Sequence, residues 1–155
     1  MENNSIIRSL RYTFDLSDAK MIEIFGLADF KVSRTQVCDW LKKDDAEGYE
    51  ELSDSQLAFF LNGFINDKRG KKEGAQPEPE IRLNNNIIFR KLKIALDFKD
   101  TDILEILDSM DMKISRHELS AFFRKPGQKQ FRNCNDQILR NFMNGIKLKY
   151  RSDPA

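Results

Sequence analysis

Residues 3–14 read NNSIIRSLRYTF, and residues 85–96 repeat that pattern as NNIIFRKLKIAL. Extended from this stretch at a constant offset of 82 residues, residues 3–70 align with residues 85–152 without a gap. Twenty of the 68 aligned pairs are identical, whereas unrelated segments of this composition would share only a handful. A repeat of this length indicates one structural unit that is used twice.

The repeat divides the 155-residue chain into a first unit, residues 1–70, a linker, residues 71–83, and a second unit, residues 84–155. The linker contains KKEGAQPEPEIR, whose two prolines and interleaved charges are typical of a flexible, extended segment. A small unit buries a limited fraction of its surface. We therefore expect the two copies to pack on each other into one body or to form a dimer. Two independent bundles on a tether are the alternative.

Apolar residues at three- and four-residue spacing predict helices throughout both units, and no segment shows convincing strand alternation. The predicted fold class is therefore all-α, with about four helices in each unit. Serine or aspartate stands before several of the helices as an N-cap, among them Ser33 and Ser115. The predicted helices are residues 4–14, 18–27, 34–43 and a segment that begins after Ser53–Asp54 in the first unit, and residues 86–96, 100–110, 116–124 and 136–149 in the second.

The second and third helices of each unit resemble a helix-turn-helix, in which the start of the second helix enters the major groove of DNA. Arginine and glutamine suit this position because they make paired hydrogen bonds to base edges. The turn from Ala28 to Val32 is longer than usual and holds no glycine, so a plain helical hairpin is the alternative. The candidate base-contacting residues are Arg34, Thr35 and Gln36 in the first unit, and Arg116 and His117 in the second.

The formal net charge of +1 conceals a charge difference between the units. Residues 1–70 carry a net charge of −4, and residues 83–155 carry +5. The basic residues of the second unit resemble a phosphate-binding surface. A solvated face, or a face complementary to the acidic first unit of the same or a neighbouring chain, is the alternative. The candidate phosphate-binding residues are Arg124, Lys125, Lys129 and Arg132.

The repeated Asn-Gly pairs at residues 62–63 and 144–145 lie inside predicted helices. A glycine in a helix interior costs about 1 kcal/mol relative to alanine, so its recurrence asks for a structural reason. Close approach of two helices is the favoured interpretation. A hydrogen bond from the asparagine to a backbone group or a ligand is the alternative.

The motifs NNSIIRSLRY and DSQLAFFLNGFINDKRG, with their echoes NNIIFRKLKIAL and DQILRNFMNGIKLKYR, resemble the YehS-like bacterial family, domain of unknown function 1456. The resemblance covers nearly the whole chain, including the twofold repeat. It implies a small bacterial cytoplasmic protein. It supplies no activity, cofactor or partner.

Catalytic and metal-binding patterns are missing from the sequence. The chain has one histidine, His117, and two cysteines, Cys38 and Cys134, which are too few for a zinc site or a disulfide framework. Neither a glycine-rich phosphate loop nor a nucleophile elbow is found. We therefore expect no enzyme activity and no cofactor, and we interpret both cysteines as core residues.

No apolar run has the length of a membrane-spanning helix, and the N-terminus lacks the pattern of a signal peptide. We therefore expect a cytoplasmic location and no membrane partner.

Two function classes remain open at this point. The first is a non-catalytic interaction or assembly module that binds a protein partner or itself, as the opposite charge of the units suggests. The alternative is a regulator that binds DNA or RNA through the helix-turn-helix-like segments and the basic second unit.

Overall fold

Each half of the chain folds into four helices, as a computed structural model that describes residues 1–151 shows. Within these residues there is no strand, so the predicted all-α class and tandem units are confirmed. The helices are α1 (Asn3–Thr13), α2 (Asp18–Leu27), α3 (Arg34–Leu41), α4 (Asp54–Arg69), α5 (Asn85–Ala95), α6 (Asp100–Asp108), α7 (Arg116–Ala121) and α8 (Asp136–Tyr150).

The chain forms two compact units, Met1–Leu83 and a second that begins at Asn84. Residues 152–155 of the predicted second unit lie outside the described residues. The packing of the two copies on each other stays a prediction. Among residues 1–151, no helix combines the length and apolar character that crossing a membrane requires.

Side-chain caps mark the starts of six of the eight described helices, all except α1 and α6. Ser33 accepts a hydrogen bond from the backbone of Gln36, whose side chain accepts one from the backbone of Ser33 in return. The same reciprocal box joins Ser115 to Glu118 at the start of α7. These boxes satisfy amide groups that have no partner within the helix, and the sequence predicted both serine caps.

Aspartates in the left-handed conformation follow the first two helices of each unit. Asp15 has φ 50° and its equivalent Asp97 has φ 54°, while Asp29 and Asp111 have φ 60° and 57°. Aspartate tolerates this region better than most residues other than glycine. Four aspartates shared between the repeats are therefore turn residues that end helices.

The third helix of each unit is shorter than predicted. Helix α3 ends at Leu41 rather than residue 43, and α7 ends at Ala121 rather than residue 124. The backbone amides of Glu50 and Arg132 bond to the carbonyls of Asp39 and Ala121 near these helix ends. A loop that folds back onto the helix end thus replaces the helical continuation.

Aromatic rings pack in the core of each unit around a phenylalanine that occupies the same position in both repeats. In the first unit, Phe60 of α4 packs against Phe25 of α2, with ring centroids 5.2 Å apart. In the second unit, the equivalent Phe142 packs against Phe89 of α5, at 4.6 Å. Leucine replaces Phe25 in the second unit, so the large ring has moved from one helix to another. Such a compensated exchange maintains the core volume.

Glycine brings the last helix of each unit into contact with the second helix. A methyl group at Gly63 would overlap the backbone carbonyl of Ile24, and one at Gly145 would overlap the side chain of Ile106. The predicted close approach of two helices is confirmed at both Asn-Gly pairs.

The predicted linker, residues 71–83, runs back along α4 from its C-terminal end to its N-terminal end. Near the C-terminal end, the amide of Asn66 donates to the side-chain oxygen of Gln76 at 2.7 Å. Near the N-terminal end, the hydroxyl of Ser55 donates to the carbonyl of Glu80, and the carboxylate of Asp54 accepts from the amide of Leu83.

We predict that Gly63→Ala destabilises the protein by about 3 kcal/mol, because the new methyl group strikes rigid backbone. Gly26→Ala is the matched control, since a methyl group there meets no atom within 4 Å. Removing this helical glycine should leave stability unchanged or raise it by up to about 1 kcal/mol. Urea unfolding measures both changes. A Gly63→Ala variant as stable as the wild type would contradict the contact between α2 and α4.

Candidate functional site

Two loops of equivalent position carry most of the charge difference between the units. The acidic loop, residues 42–53, joins α3 to α4, and the basic loop, residues 124–135, precedes α8 at the same place in the second unit. Both are long connections without helix or strand. Long ordered loops of this kind are frequent locations of function.

A buried asparagine fixes the acidic loop. The side-chain nitrogen of Asn4 donates to the carbonyl of Trp40 at 3.0 Å and to that of Glu50 at 2.9 Å. Its side-chain oxygen accepts from the amide of Leu52 at 3.0 Å. The Asn4 residue is only 1% exposed. One side chain of α1 therefore joins the end of α3 to two points of the loop.

The second unit repeats this clamp. The side-chain nitrogen of Asn86 donates to the carbonyls of Phe122 and Arg132, at 3.0 and 2.8 Å. Its oxygen accepts from the amide of Cys134 at 2.9 Å. All six backbone partners occupy equivalent positions in the repeat, so the loops are fixed in one way.

A second asparagine ties each loop to the helix that follows it. In the first unit, Asn3 donates to the carbonyl of Leu52 and to the carboxylate of Asp54. In the second unit, Asn85 donates to Cys134 and Asp136 in the same manner. The hydrogen bond from Asn85 lowers the pKa of the Asp136 carboxyl below its ordinary value, because it stabilises the charged form.

The two loops share their backbone course as well as their clamp. Gly48 has φ 85°, and its equivalent Gln130 has φ 76°, so the backbone of each loop passes through the left-handed region at the same position. The next residues, Tyr49 and Phe131, are half-buried aromatics. Each donates its amide to the carbonyl three residues earlier, at 3.2 Å in both loops.

Charge distinguishes these two similar loops. At two equivalent positions an exposed acid in the first unit is replaced by an exposed base in the second, as Glu47 by Lys129 and Glu50 by Arg132. The clamp holds the backbone carbonyls of both Glu50 and Arg132, so their side chains extend from fixed points. The exposed acids of the acidic loop are Asp44, Asp45, Glu47, Glu50 and Glu51; the basic loop exposes Lys125, Lys129 and Arg132, with Arg124 half-buried.

The nine predicted site residues fall into two kinds of place. Arg124, Lys125, Lys129 and Arg132 come together in the basic loop. The other five are exposed at helix starts: Arg34, Thr35 and Gln36 on α3, and Arg116 and His117 on α7.

Local structure limits what the helix starts can do. The side-chain oxygen of Gln36 accepts from the amide of Ser33 at 2.8 Å, so this oxygen is engaged in the cap. Helix α7 has six residues, and Arg116 lies at its far end from the basic loop. The two kinds of basic residue in the second unit are therefore separated by the length of α7.

Sequence reasoning missed the asparagine clamps and the structural equivalence of the acidic and basic loops. Asn4 and Asn86 were visible as an identical pair, and a buried asparagine side chain is hydrogen-bonded in the large majority of cases. The partners themselves are backbone groups 36 to 48 residues away, which carry no sequence signal. The replacement of Glu47 by Lys129 was also present in the alignment, but only the structure shows both residues exposed on one loop shape.

A groove of about 220 Å³ lies between α6 and α8 of the second unit, and it is lined by Asp102, Glu105, Ile106, Leu148 and Lys149 among others. In the first unit, the ammonium of Lys20 spans the equivalent helices to contact Asp67 at 2.7 Å and Glu23 at 3.1 Å. Asp102 and Lys149 replace Lys20 and Asp67 with the charges exchanged. The shorter aspartate does not fill the space that the lysine fills.

The described residues hold no cluster of metal-binding side chains. Within residues 1–151, no group of three or more histidine, cysteine, aspartate or glutamate side chains has the geometry to hold a metal ion. His117 is exposed at the start of α7.

A family profile described as "Protein of unknown function (DUF1456)" matches residues 3–70 and 85–152, which are the two repeats. The chain belongs to the DUF1456 family. One relative, "Uncharacterized protein YehS" of Escherichia coli (strain K12), is 42% identical over 150 residues, which is 96% of each chain. No solved structure gives a significant match. The comparisons confirm the resemblance and the repeat. The description of the DUF1456 family assigns no activity to the chain.

We predict that Asn86→Ala destabilises the protein by about 3 kcal/mol, because three backbone groups lose a buried partner. Asn133→Ala is the matched control, since Asn133 is exposed in the same loop. Urea unfolding gives the stability, and hydrogen exchange at Arg132 and Cys134 reports the loop. Equal stability of the two variants would contradict the clamp.

The two cysteines should react very differently. Cys134 is buried, and burial raises the pKa of its thiol to about 12. Cys38, predicted to be a core residue, is only half-buried, with its sulfur 3.8 Å from a carboxylate oxygen of Asp18. That interpretation was wrong for Cys38, because its side chain points to the start of α2 rather than inward. Cys134 agrees with it.

We predict that near pH 8 one thiol of the folded protein reacts rapidly with Ellman's reagent. A thiol with a pKa of about 12 is ionised in about one molecule in ten thousand at that pH, and the thiolate is the reactive form. Cys38→Ser should remove the rapid reaction, and Cys134→Ser should retain it. Two equally rapid thiols would contradict the burial of Cys134.

Proposed function

We propose that this protein is a non-catalytic interaction module that presents two loops of one backbone shape and opposite charge. The observation that carries the proposal is the replacement of Glu47 and Glu50 by Lys129 and Arg132 on loops held by the same clamp. The basic loop would bind an acidic partner, and the acidic loop would bind a basic one. Complementary charge selects partners and orients them.

Rigidity of the loops supports this proposal. The clamp joins the end of the third helix to two backbone groups in the last part of each loop, so that part of the loop needs little further ordering on binding. Each loop also places a half-buried aromatic, Tyr49 or Phe131, between its charged residues. Tyrosine is among the residues that contribute most at interfaces.

We also propose that the protein acts in the cytoplasm. The support is that Cys38 and Cys134 are both free thiols, as is usual in a reducing compartment.

The test is capture of partners by the immobilised full-length protein and three variants. Lys125→Glu/Lys129→Glu/Arg132→Glu reverses the basic loop, and Asp44→Lys/Glu47→Lys/Glu50→Lys reverses the acidic loop. The control, Arg90→Glu/Lys99→Glu/Lys113→Glu, reverses three exposed bases of the second unit outside the loop. Each loop reversal should remove a different set of partners, and the control should remove neither. Capture that no loop reversal changes would contradict the proposal.

Nucleic-acid binding is the second candidate, and three exposed cations on the basic loop, which also carries Phe131, favour it. Titration of labelled duplex DNA and RNA tests it. If Lys125, Lys129 and Arg132 each bind a phosphate, affinity should fall about forty-fold as salt rises fourfold. Reversal of the basic loop should abolish the binding. No binding at low salt would exclude this candidate.

A further inference from the structure

We propose that the acidic partner of the basic loop is the acidic loop of a second copy of this chain. This inference rests on the proposed function and names its partner. Both surfaces belong to one chain, have one backbone course and exchange charge at equivalent positions, as Glu47 with Lys129 and Glu50 with Arg132. A molecule with both surfaces contains a complement to itself.

Only one of the three possible loop pairings is attractive. Two acidic loops repel each other, as do two basic loops, whereas an acidic loop attracts a basic one. Single exposed ion pairs contribute little to affinity, but the arrangement of like and unlike charges decides which surfaces meet. The three exposed cations of the basic loop, Lys125, Lys129 and Arg132, face up to five exposed acids in this pairing.

Aromatic residues give the contact between the two loops an apolar centre in addition to its charged groups. Tyr49 and Phe131 are half-buried at the same place in their loops, between the charge-exchanged positions. A contact between the two loops therefore brings an aromatic ring to the centre and charged residues to the rim, which is the usual anatomy of a protein interface.

The pairing also restricts the symmetry of the assembly. The acidic and basic loops are different surfaces, so one contact joins unlike parts of two copies. A two-fold dimer makes this contact twice, whereas any other arrangement continues into a ring or an open chain. Either form increases in mass with protein concentration.

Sedimentation velocity of the full-length protein tests the inference at about 50 mM and about 300 mM salt, since added salt screens exposed charges. The wild type should associate as concentration rises at low salt, and at least tenfold more weakly at high salt. The two loop-reversal variants defined above should each remain monomeric, because each then carries two loops of one sign.

Mixing the variants provides the decisive comparison. An equimolar mixture of the two loop reversals should associate again, because an acidic loop and a basic loop are once more available. These variants have formal net charges of −5 and +7, so the effect of a large net charge on self-association needs a control. The variant reversed at Arg90, Lys99 and Lys113 also has a net charge of −5, and unlike the basic-loop reversal it should associate when alone.

The outcomes separate this inference from the proposed function. A wild type that is monomeric at all concentrations and low salt overturns the inference, as does association that neither loop reversal weakens. If the protein stays monomeric while each loop reversal removes captured partners, the proposed function stands and only the second copy is excluded. Equal melting temperatures of the variants show that loss of association is not loss of fold.

Discussion

Each unit depends on one buried asparagine. Asn4 and Asn86 use both amide hydrogens and the carbonyl oxygen of their side chains, and every partner is a distant backbone group at the end of the third helix or in the loop after it. A buried amide without partners would oppose folding, so the helix that carries it and the loop that satisfies it must form together. The clamp thereby joins the first helix to the end of the third helix and orders the last part of the loop before the fourth helix.

The clamp separates what the repeat must retain from what it is free to change. It binds backbone atoms, so the side chains at residues 50 and 132 can be glutamate in one unit and arginine in the other without loss of a hydrogen bond. Core positions are less free to change. Where the second unit gains the ring of Phe89 in place of Ile7, it has the smaller Leu107 in place of Phe25. The greatest divergence between the units is therefore found in the charge of the loops.

Local signals in the sequence predicted most of the fold. Serine caps such as Ser33 and Ser115 fix helix starts through neighbouring residues, and the Asn-Gly pairs indicated the close contact at Gly63 and Gly145. The ends of α3 and α7 were predicted too late, because they are set by loop amides that return from far along the chain. The four basic residues of the candidate site were predicted together because they lie close together in the sequence. The acidic loop was recognised as their counterpart only from the backbone shape that the two loops share.

The charge exchange on the loops differs in kind from the one between α2 and α4. Lys20 and Asp67 form an ion pair that spans two helices, and their replacements Asp102 and Lys149 are again opposite in sign, so that exchange maintains complementarity within one unit. On the loops, the acids Glu47 and Glu50 are exposed in one unit, and the bases that replace them are exposed in the other. A fold has no need of this second exchange, because it satisfies nothing inside either unit. The loops, rather than the helix starts, are therefore the places where exposed charge changes sign between the two repeats.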